Sequence, residues 1–158
     1  MRVLEIASII PECCAEVLET MYFTTVLGSE SLDTLPGNLP GSDRALEFSL
    51  DFVGDISGRF GVHLEPATAR SLAANFLGEP EAAISQTEVD EVTCELANML
   101  CGSVMSRVEG EHSFSLSHPE AGIATPTSAG DILVSILDTD NGIISVWVLI
   151  EGNHASVE

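Results

Sequence analysis

Two stretches of alternating apolar and polar residues, joined by a glycine-rich turn, constrain the fold of this chain most strongly. Their apolar members are Leu46, Phe48, Leu50 and Phe52, followed by Phe60, Val62 and Leu64. Successive side chains of a strand point to opposite faces, so this alternation is typical of half-buried strands. Because the turn over residues 54–58 is short, the two strands are predicted to form an antiparallel hairpin.

Helical periodicity precedes and follows this hairpin. The first helix is predicted to begin at Pro11, which suits a first helical turn, and to end near residues 26–28. Residues 29–44 contain proline and glycine without periodicity and are interpreted as a surface loop. A second helix is predicted to open at Pro66 and to end before Gly78.

A third helix is predicted from the capping box Ser85-Gln86-Thr87-Glu88 to about Arg107. Three further strands are predicted after it, at residues 113–117, 131–137 and 143–150. The turn Asn141-Gly142 favours a tight connection between the last two. The last strand is apolar on both faces, which is compatible with edge pairing between subunits.

This element order favours an α+β fold in which helices pack on one mostly antiparallel sheet. With 158 residues the chain has the size of one domain, so residues 1–158 are interpreted as a single domain. Each half consists of a helix followed by strands, and segments 16–21 and 95–100 can be laid over each other. A degenerate internal duplication is therefore plausible.

The charge balance excludes some classes of partner. The chain contains twenty-five acidic residues, five arginines and no lysine, which gives a net charge of −20. Such a chain repels phosphate backbones and anionic lipids, so we expect neither nucleic acid nor membranes as partners. No stretch approaches the roughly 20 apolar residues of a membrane span. Glu5 interrupts the place where a signal peptide needs an apolar core, so we expect a cytoplasmic protein with reduced cysteines.

The residues that most often bind metals show no metal-site spacing. Cys13 and Cys14 are adjacent and Cys94 and Cys101 lie seven apart, so no C-x₂-C pair exists and small buried side chains are the better interpretation. The histidines are scattered, at positions His63, His112, His118 and His154. No acidic loop has the EF-hand pattern, and residues 138–142 fit a hairpin turn, so a metal-dependent small-molecule enzyme is poorly supported.

The third helix divides into three faces at about 100° per residue. A broad apolar stripe is expected to face the core, and it contains Val89, Val92, Leu96, Met99 and Leu100. A side of small residues suits close packing against another helix, and it contains Thr93, Cys94, Ala97 and Cys101. The remaining strip contains Glu91, Glu95, Asn98 and Gly102 within an arc of roughly 40°.

This strip has two interpretations. An arbitrary helix would carry such residues simply because the face is solvated. However, Asn and Gly are poor helix formers, Gly costing about 1 kcal/mol relative to Ala. Gly102 also leaves room for a partner that approaches Glu95 and Asn98. A carboxylate can bind a lysine and an amide can orient water, so the strip is predicted to be functional.

The sequence Glu95-x-x-Asn98, followed by Gly102, resembles the E-x-x-N…G helix motif of the CheC/CheX/FliY chemotaxis phosphatases. Residues 52–60 are similar to the glycine-rich strand–turn–strand of that family. Residues 17–21 look like the end of the first helix in its single-site, CheX-like members. The ordered set of segments, rather than the bare motif, carries the resemblance, which extends from about residue 11 to residue 150.

The resemblance implies a CheC-like fold and a phosphatase that hydrolyses the phosphoaspartate of a CheY-type response regulator. Asn98 would position the attacking water and Glu95 would pair with a lysine of the regulator, while Glu91 and Gly102 would belong to the binding surface. The regulator would supply the divalent metal, so no cofactor of the chain's own is implied. The CheX-like resemblance also implies a homodimer.

Three positions qualify the resemblance. The family often has Asp or Ser at the place of Glu91. It also has a proline some two dozen residues after the asparagine, and Pro119 and Pro126 are the nearest candidates. On the first helix Glu19 stands at the place of a second asparagine, so one site per chain is implied.

The alternative hypothesis is a non-catalytic module that binds a response regulator or a flagellar-switch protein.

Overall fold

The computed structural model of the chain describes residues 2–33, 39–110, 112–121 and 131–151. In this part of the chain, three α-helices and a short 3-10 helix (Glu81–Ala83) accompany a seven-stranded antiparallel sheet. The helices are α1 (Arg2–Met21), α2 (Pro66–Leu77) and α3 (Gln86–Glu109). The strands are β1 (Val26–Leu32), β2 (Leu46–Val53), β3 (Ser57–Leu64), β4 (Ser115–Leu116), β5 (Glu120–Ala121), β6 (Asp131–Thr139) and β7 (Gly142–Glu151). The predicted α+β architecture is confirmed.

The order of strands in the sheet has an internal symmetry. Its order is β1-β6-β7-β3-β2-β4, and β5 also pairs with β2. The hairpins β2–β3 and β6–β7 meet at the central β3–β7 pair, and each is flanked by the first strand of the other half of the chain. This arrangement supports the interpretation of the chain as a degenerate duplication.

The predicted hairpin and the two following helices agree with the structure. The β2–β3 register joins Leu46 to Leu64 and Val53 to Ser57. Helix α2 opens at Pro66, and Gly78 ends it with the left-handed φ of 70° that a glycine C-cap provides. The capping box of α3 is formed in both directions between Ser85 and Glu88.

The prediction for the first helix was wrong at both ends. Helix α1 begins nine residues before Pro11, which lies inside it, and ends at Met21. Ile6 and Ile10 are buried in the core, so the apolar face continues toward the N-terminus and outweighs the hydrogen bond that Pro11 cannot donate. At the other end, Phe23 turns the chain away with a φ of 49°.

The predicted loop over residues 29–44 contains part of a strand. Strand β1 pairs with β6 at the edge of the sheet, and most of its side chains are exposed. An edge strand without a buried face has no alternation, so the sequence carried no signal for it. Residues 34–38 of the predicted loop lie outside the described residues.

Three smaller predictions also need correction. The strand predicted at residues 113–117 shrinks to the two residues of β4, and β5 was not predicted. In the last hairpin Thr139 pairs with Gly142, so Asp140 and Asn141 form the loop and Gly142 takes the positive φ of 124°. Strand β7 lies inside the sheet between β6 and β3, so it cannot pair with a second subunit through its edge.

The two faces of the sheet carry separate apolar clusters. The larger one lies between the sheet and the helices, and the smaller one centres on Val134, Trp147 and Leu149 on the opposite face. On this second face Trp147, 1% exposed, lies directly over Gly61, its partner in the β3–β7 register. A side-chain carbon at position 61 would overlap the indole ring.

We therefore expect Gly61→Ala to lower the free energy of unfolding by about 1–3 kcal/mol, because an overpacked site must shift its neighbours. Urea unfolding followed by the fluorescence of Trp147, the one tryptophan of the chain, measures this loss. The control is Gly102→Ala, whose new carbon would lie 3.8 Å from Leu116 Cδ1 and should stabilise α3 by up to ~1 kcal/mol. Equal losses in the two variants would contradict this account.

Candidate functional site

Helix α3 occupies the centre of the helical layer and packs against α1, α2 and the strands β2 and β3. Its buried residues include Val89, Leu96 and Leu100, as the apolar stripe predicted. On the opposite side Glu91 and Glu95 are exposed and Asn98 and Gly102 are half-buried. The face that the sequence singled out is therefore directed away from the core.

A surface groove of about 770 Å³ lies along this face of α3. Its lining residues are Phe48, Asp90, Glu91, Cys94, Glu95, Asn98, Leu116, Ser117, His118 and Pro119. Three of the four residues predicted for the site, Glu91, Glu95 and Asn98, lie together on one wall. Gly102 is not among these lining residues and faces Leu116 one turn further along the helix.

The second wall of the groove comes from the segment that joins β4 and β5. The backbone N–H of Ser117 donates to the carbonyl oxygen of Asp51 at 2.9 Å, and the N–H of Asp51 donates to Ser117 Oγ at 2.8 Å. These bonds attach the segment to the edge of β2. Of the two candidate prolines, Pro119 lies in this wall, and Pro126 lies outside the described residues.

Cys94 is a groove residue that the prediction assigned to a different face. Thr93, Ala97 and Cys101 are buried as expected, but Cys94 is only half-buried and its thiol donates to the Pro119 carbonyl oxygen at 3.4 Å. Burial raises the pKa of this thiol, and the nearby carboxylate of Glu95 raises it further. The thiol is therefore protonated at neutral pH and is a poor nucleophile.

Tyr22, the residue that follows α1, packs against α2 and α3 near Glu95. Its ring is buried and stacks on Phe76 of α2, with 4.9 Å between the ring centroids. Its hydroxyl points at Met99 Sδ of α3, at 3.8 Å. Burial, and secondarily the Glu95 carboxylate, raise the pKa of Tyr22, so its hydroxyl stays protonated. The neutral side chain therefore connects the end of α1 to α2 and α3 beside Glu95.

The groove has a one-sided charge. Asp90, Glu91 and Glu95 contribute three carboxyl groups, and none of the described lining residues is Arg or Lys. His118 on the second wall is the one basic side chain among them. A site of this composition attracts a cationic group of a partner more readily than a free phosphate.

On α1, the positions that correspond to the motif are solvated. Glu16 and Glu19 are exposed, and Glu16 lies 4.0 Å from Arg107, which also pairs with Glu12 at 3.2 Å. These contacts agree with the interpretation of Glu16 and Glu19 as ordinary surface residues of the helix.

The comparison with known proteins assigns the family. Residues 48–129, more than half of the chain, match the model of the family described as chemotaxis phosphatase CheX. The chain belongs to the CheX family. This family assignment confirms the resemblance that the motif and the hairpin indicated.

Solved structures share the fold over nearly the whole chain. The chemotaxis protein CheX of Desulfovibrio desulfuricans is 16% identical, with a TM-score of 0.73 over 93% of this chain and 99% of that one. CheX in the CheX–CheY–BeF3–Mg2+ complex of Borrelia burgdorferi is 15% identical, with a TM-score of 0.69 over 90% and 95%. Thermotoga maritima FliY gives a TM-score of 0.59 at 15% identity over 97% and 93%. The CheC-like fold is therefore confirmed.

A search of curated protein sequences gave no match. Among the helices in the described ranges, none has the length and apolar character that crossing a membrane requires.

The state of the Cys94 thiol can be tested by alkylation. Because its pKa is raised, the thiolate fraction at any pH near neutrality is smaller than in an unperturbed cysteine. We expect iodoacetamide to modify Cys94 of the folded protein more slowly than a cysteine in a short peptide, and to require a higher pH for the same rate. Peptide mapping by mass spectrometry measures the rate, with the urea-unfolded chain as control. Modification at the peptide's rate would contradict the prediction.

Proposed function

We propose that this CheX-family protein is a phosphatase that hydrolyses the phosphoaspartate of a CheY-type response regulator. The observation that carries the proposal is the pair Glu95 and Asn98, which face the same groove on α3 in a chain whose family is that of chemotaxis phosphatases. The structural relative from Borrelia burgdorferi was solved as a complex with CheY, which supports a regulator of that type as the partner.

In the proposed reaction, Asn98 orients the nucleophile. Its amide oxygen accepts a hydrogen bond from a water molecule and its amide NH₂ can donate a second one, which aims a water lone pair at phosphorus. The water oxygen forms the new bond to phosphorus as the bond to the aspartate oxygen breaks, and the products are inorganic phosphate and the free aspartate. Phosphoryl transfer depends mainly on positioning and on charge neutralisation, so an amide suffices.

Glu95 is proposed to bind a lysine of the regulator's active site. Its carboxylate is exposed and lies about one helical turn from Asn98, so one docked surface can contact both groups. Glu91 lies one turn before Glu95 and extends the acidic strip. Gly102 has no side chain and so leaves space for the partner at the other end of the strip. The divalent metal that neutralises the phosphoryl group is proposed to come with the regulator.

Covalent catalysis by the chain itself is poorly supported. The single thiol in the groove, Cys94, is held in its protonated form by burial and by Glu95. His118, whose imidazole is the other candidate nucleophile in the groove, lies on the second wall and outside the sequence motif. Water activated in the complex is therefore the proposed nucleophile.

The competing proposal is a binding module of the same fold that docks on a regulator or a flagellar-switch protein without hydrolysis. The two proposals differ at Asn98, because a protein that only docks has no use for a water-orienting amide.

A homodimer, which the resemblance implies, is proposed for either function. Light scattering during size-exclusion chromatography would measure the molar mass of the assembly.

The decisive measurement is the decay of radiolabelled phospho-regulators from the same cell, with Mg2+, in the presence and absence of the protein. We expect accelerated decay for at least one regulator. Asn98→Ala should reduce the acceleration by about a hundredfold or more and leave docking nearly intact, because only the water is lost. Glu95→Ala should weaken docking itself, measured by isothermal titration.

Glu19→Ala on α1 is the matched control, since it removes an exposed helix carboxylate from the position equivalent to Asn98 and should change neither property. Full activity of Asn98→Ala would refute the mechanism. If the protein docks tightly but accelerates the decay of no phospho-regulator, the binding module would instead be established.

A further inference from the structure

Three potential metal ligands meet at the end of the molecule where the β2–β3 turn approaches the C-terminus of α3. Asp55 belongs to the turn, Glu109 is the last residue of α3, and His112 follows shortly after it. Each residue offers one ligand atom, and the three atoms lie within 4.8 Å of one another. Asp55 lies 54 residues before Glu109, and His112 lies 3 residues after it, so no local sequence pattern predicts this cluster.

Glu109 occupies a position that is unfavourable for an isolated carboxylate. It is 5% exposed, and it lies at the C-terminal end of a helix, where the helix dipole repels negative charge. Its Oε2 accepts the backbone N–H of Ile56 at 3.2 Å, but its buried Oε1 has no hydrogen-bond partner among the described residues. An unsatisfied buried oxygen of this kind requires a compensating partner.

The surrounding chain is arranged around this carboxylate. A side-chain carbon at Gly54 would lie 2.6 Å from Glu109 Oε2, so the glycine makes room for it. Gly110 turns the chain with a φ of 64°, and the N–H of His112 then donates to the Glu109 carbonyl oxygen at 3.1 Å. This turn brings the imidazole of His112 to the cluster, where its Nδ1 lies 2.6 Å from Asp55 Oδ2.

No arginine neutralises the cluster within the described part of the chain. Arg59 pairs with Asp51, and Arg107 pairs with Glu12 and Glu16. The ion pair Asp55–His112 is exposed and includes no bond to Glu109 Oε1. The buried Glu109 side chain, with one unsatisfied oxygen, therefore contributes a ligand atom to a group of carboxylates and an imidazole that no arginine of the described residues neutralises.

We propose that Asp55, Glu109 and His112 bind a divalent transition-metal ion of the zinc type. Imidazole nitrogen favours ions such as Zn2+ over Mg2+ and Ca2+, and two carboxylates complete three protein ligands, leaving the remaining positions to water. Ligands at about 2.1 Å from a tetrahedral ion are separated by roughly 3.4 Å. The exposed side chains of Asp55 and His112 can make the small adjustment from their present positions. The ion neutralises the buried Glu109 carboxylate and ties the β2–β3 turn to the end of α3.

The test is isothermal titration of the chelator-treated, full-length protein with Zn2+, with Mg2+ and Ca2+ for comparison, and thermal unfolding with and without Zn2+. We expect one saturable Zn2+ site and a raised unfolding temperature, since the ion binds only the folded cluster. Asp55→Asn, His112→Ala and Glu109→Gln should each weaken binding about tenfold or more. Glu109→Gln keeps an acceptor oxygen for the Ile56 N–H, so any loss of binding in this variant reports the removal of the negative charge and not the loss of that hydrogen bond.

His118→Ala, which removes a different exposed histidine, is the control and should leave binding unchanged. Co2+ titration identifies the ligands, because binding by the cysteines would produce thiolate-to-cobalt charge-transfer absorption. That absorption, absence of saturable Zn2+ binding, or undiminished binding in both His112→Ala and Asp55→Asn would overturn the proposal. Circular dichroism of each variant shows that its fold is retained, and Asp55→Asn, at an exposed position, is the variant least able to disturb it.

Discussion

The burial of one face of α3 decides where the candidate functional groups lie. Val89, Leu96 and Leu100 are inserted between the sheet and the other two helices. A rotation of α3 by one residue, about 100°, would expose this stripe to water and carry Asn98 toward the buried side. The direction of Glu95 and Asn98 is thus a consequence of packing on the opposite face, and neither side chain needs a contact of its own to hold it there.

The parts of the fold that could be predicted are those in which the pattern and the end signals are both local. Helix α3 has a continuous apolar stripe and a capping box, and its predicted end differs from the observed end by two residues. The β2–β3 hairpin has alternation on both strands. For α1, a local rule about Pro11 competed with long-range burial of Ile6 and Ile10, and burial prevailed. Strand β1 owes its conformation to β6, whose paired residues lie more than a hundred positions away in the sequence.

The same distinction applies to the two sites. The wall of the groove that α3 provides follows from spacing along one helix, so Glu91, Glu95 and Asn98 could be grouped from the sequence. The opposite wall depends on the two hydrogen bonds between Ser117 and Asp51, one of them to the Ser117 hydroxyl, and no local pattern predicts this pairing across 66 residues. The cluster at Asp55 and Glu109 is non-local for the same reason. Local periodicity therefore predicts only those site residues that share one helix, and the residues that tertiary pairing brings to the site are not predictable from it.

The charge of the groove explains why recognition and catalysis are assigned to different side chains. Asp90, Glu91 and Glu95 repel one another only weakly while water and salt screen them, so their grouping costs the free protein little. Docking of the proposed partner would remove that water, and the attraction between Glu95 and a lysine would then strengthen as the local dielectric falls. A carboxylate aimed at the phosphoryl group would meet repulsion under the same conditions, whereas the neutral amide of Asn98 keeps its hydrogen bonds to water. In the proposed function, the acidic strip can therefore select the partner only because Asn98, the residue proposed to orient the attacking water, carries no charge.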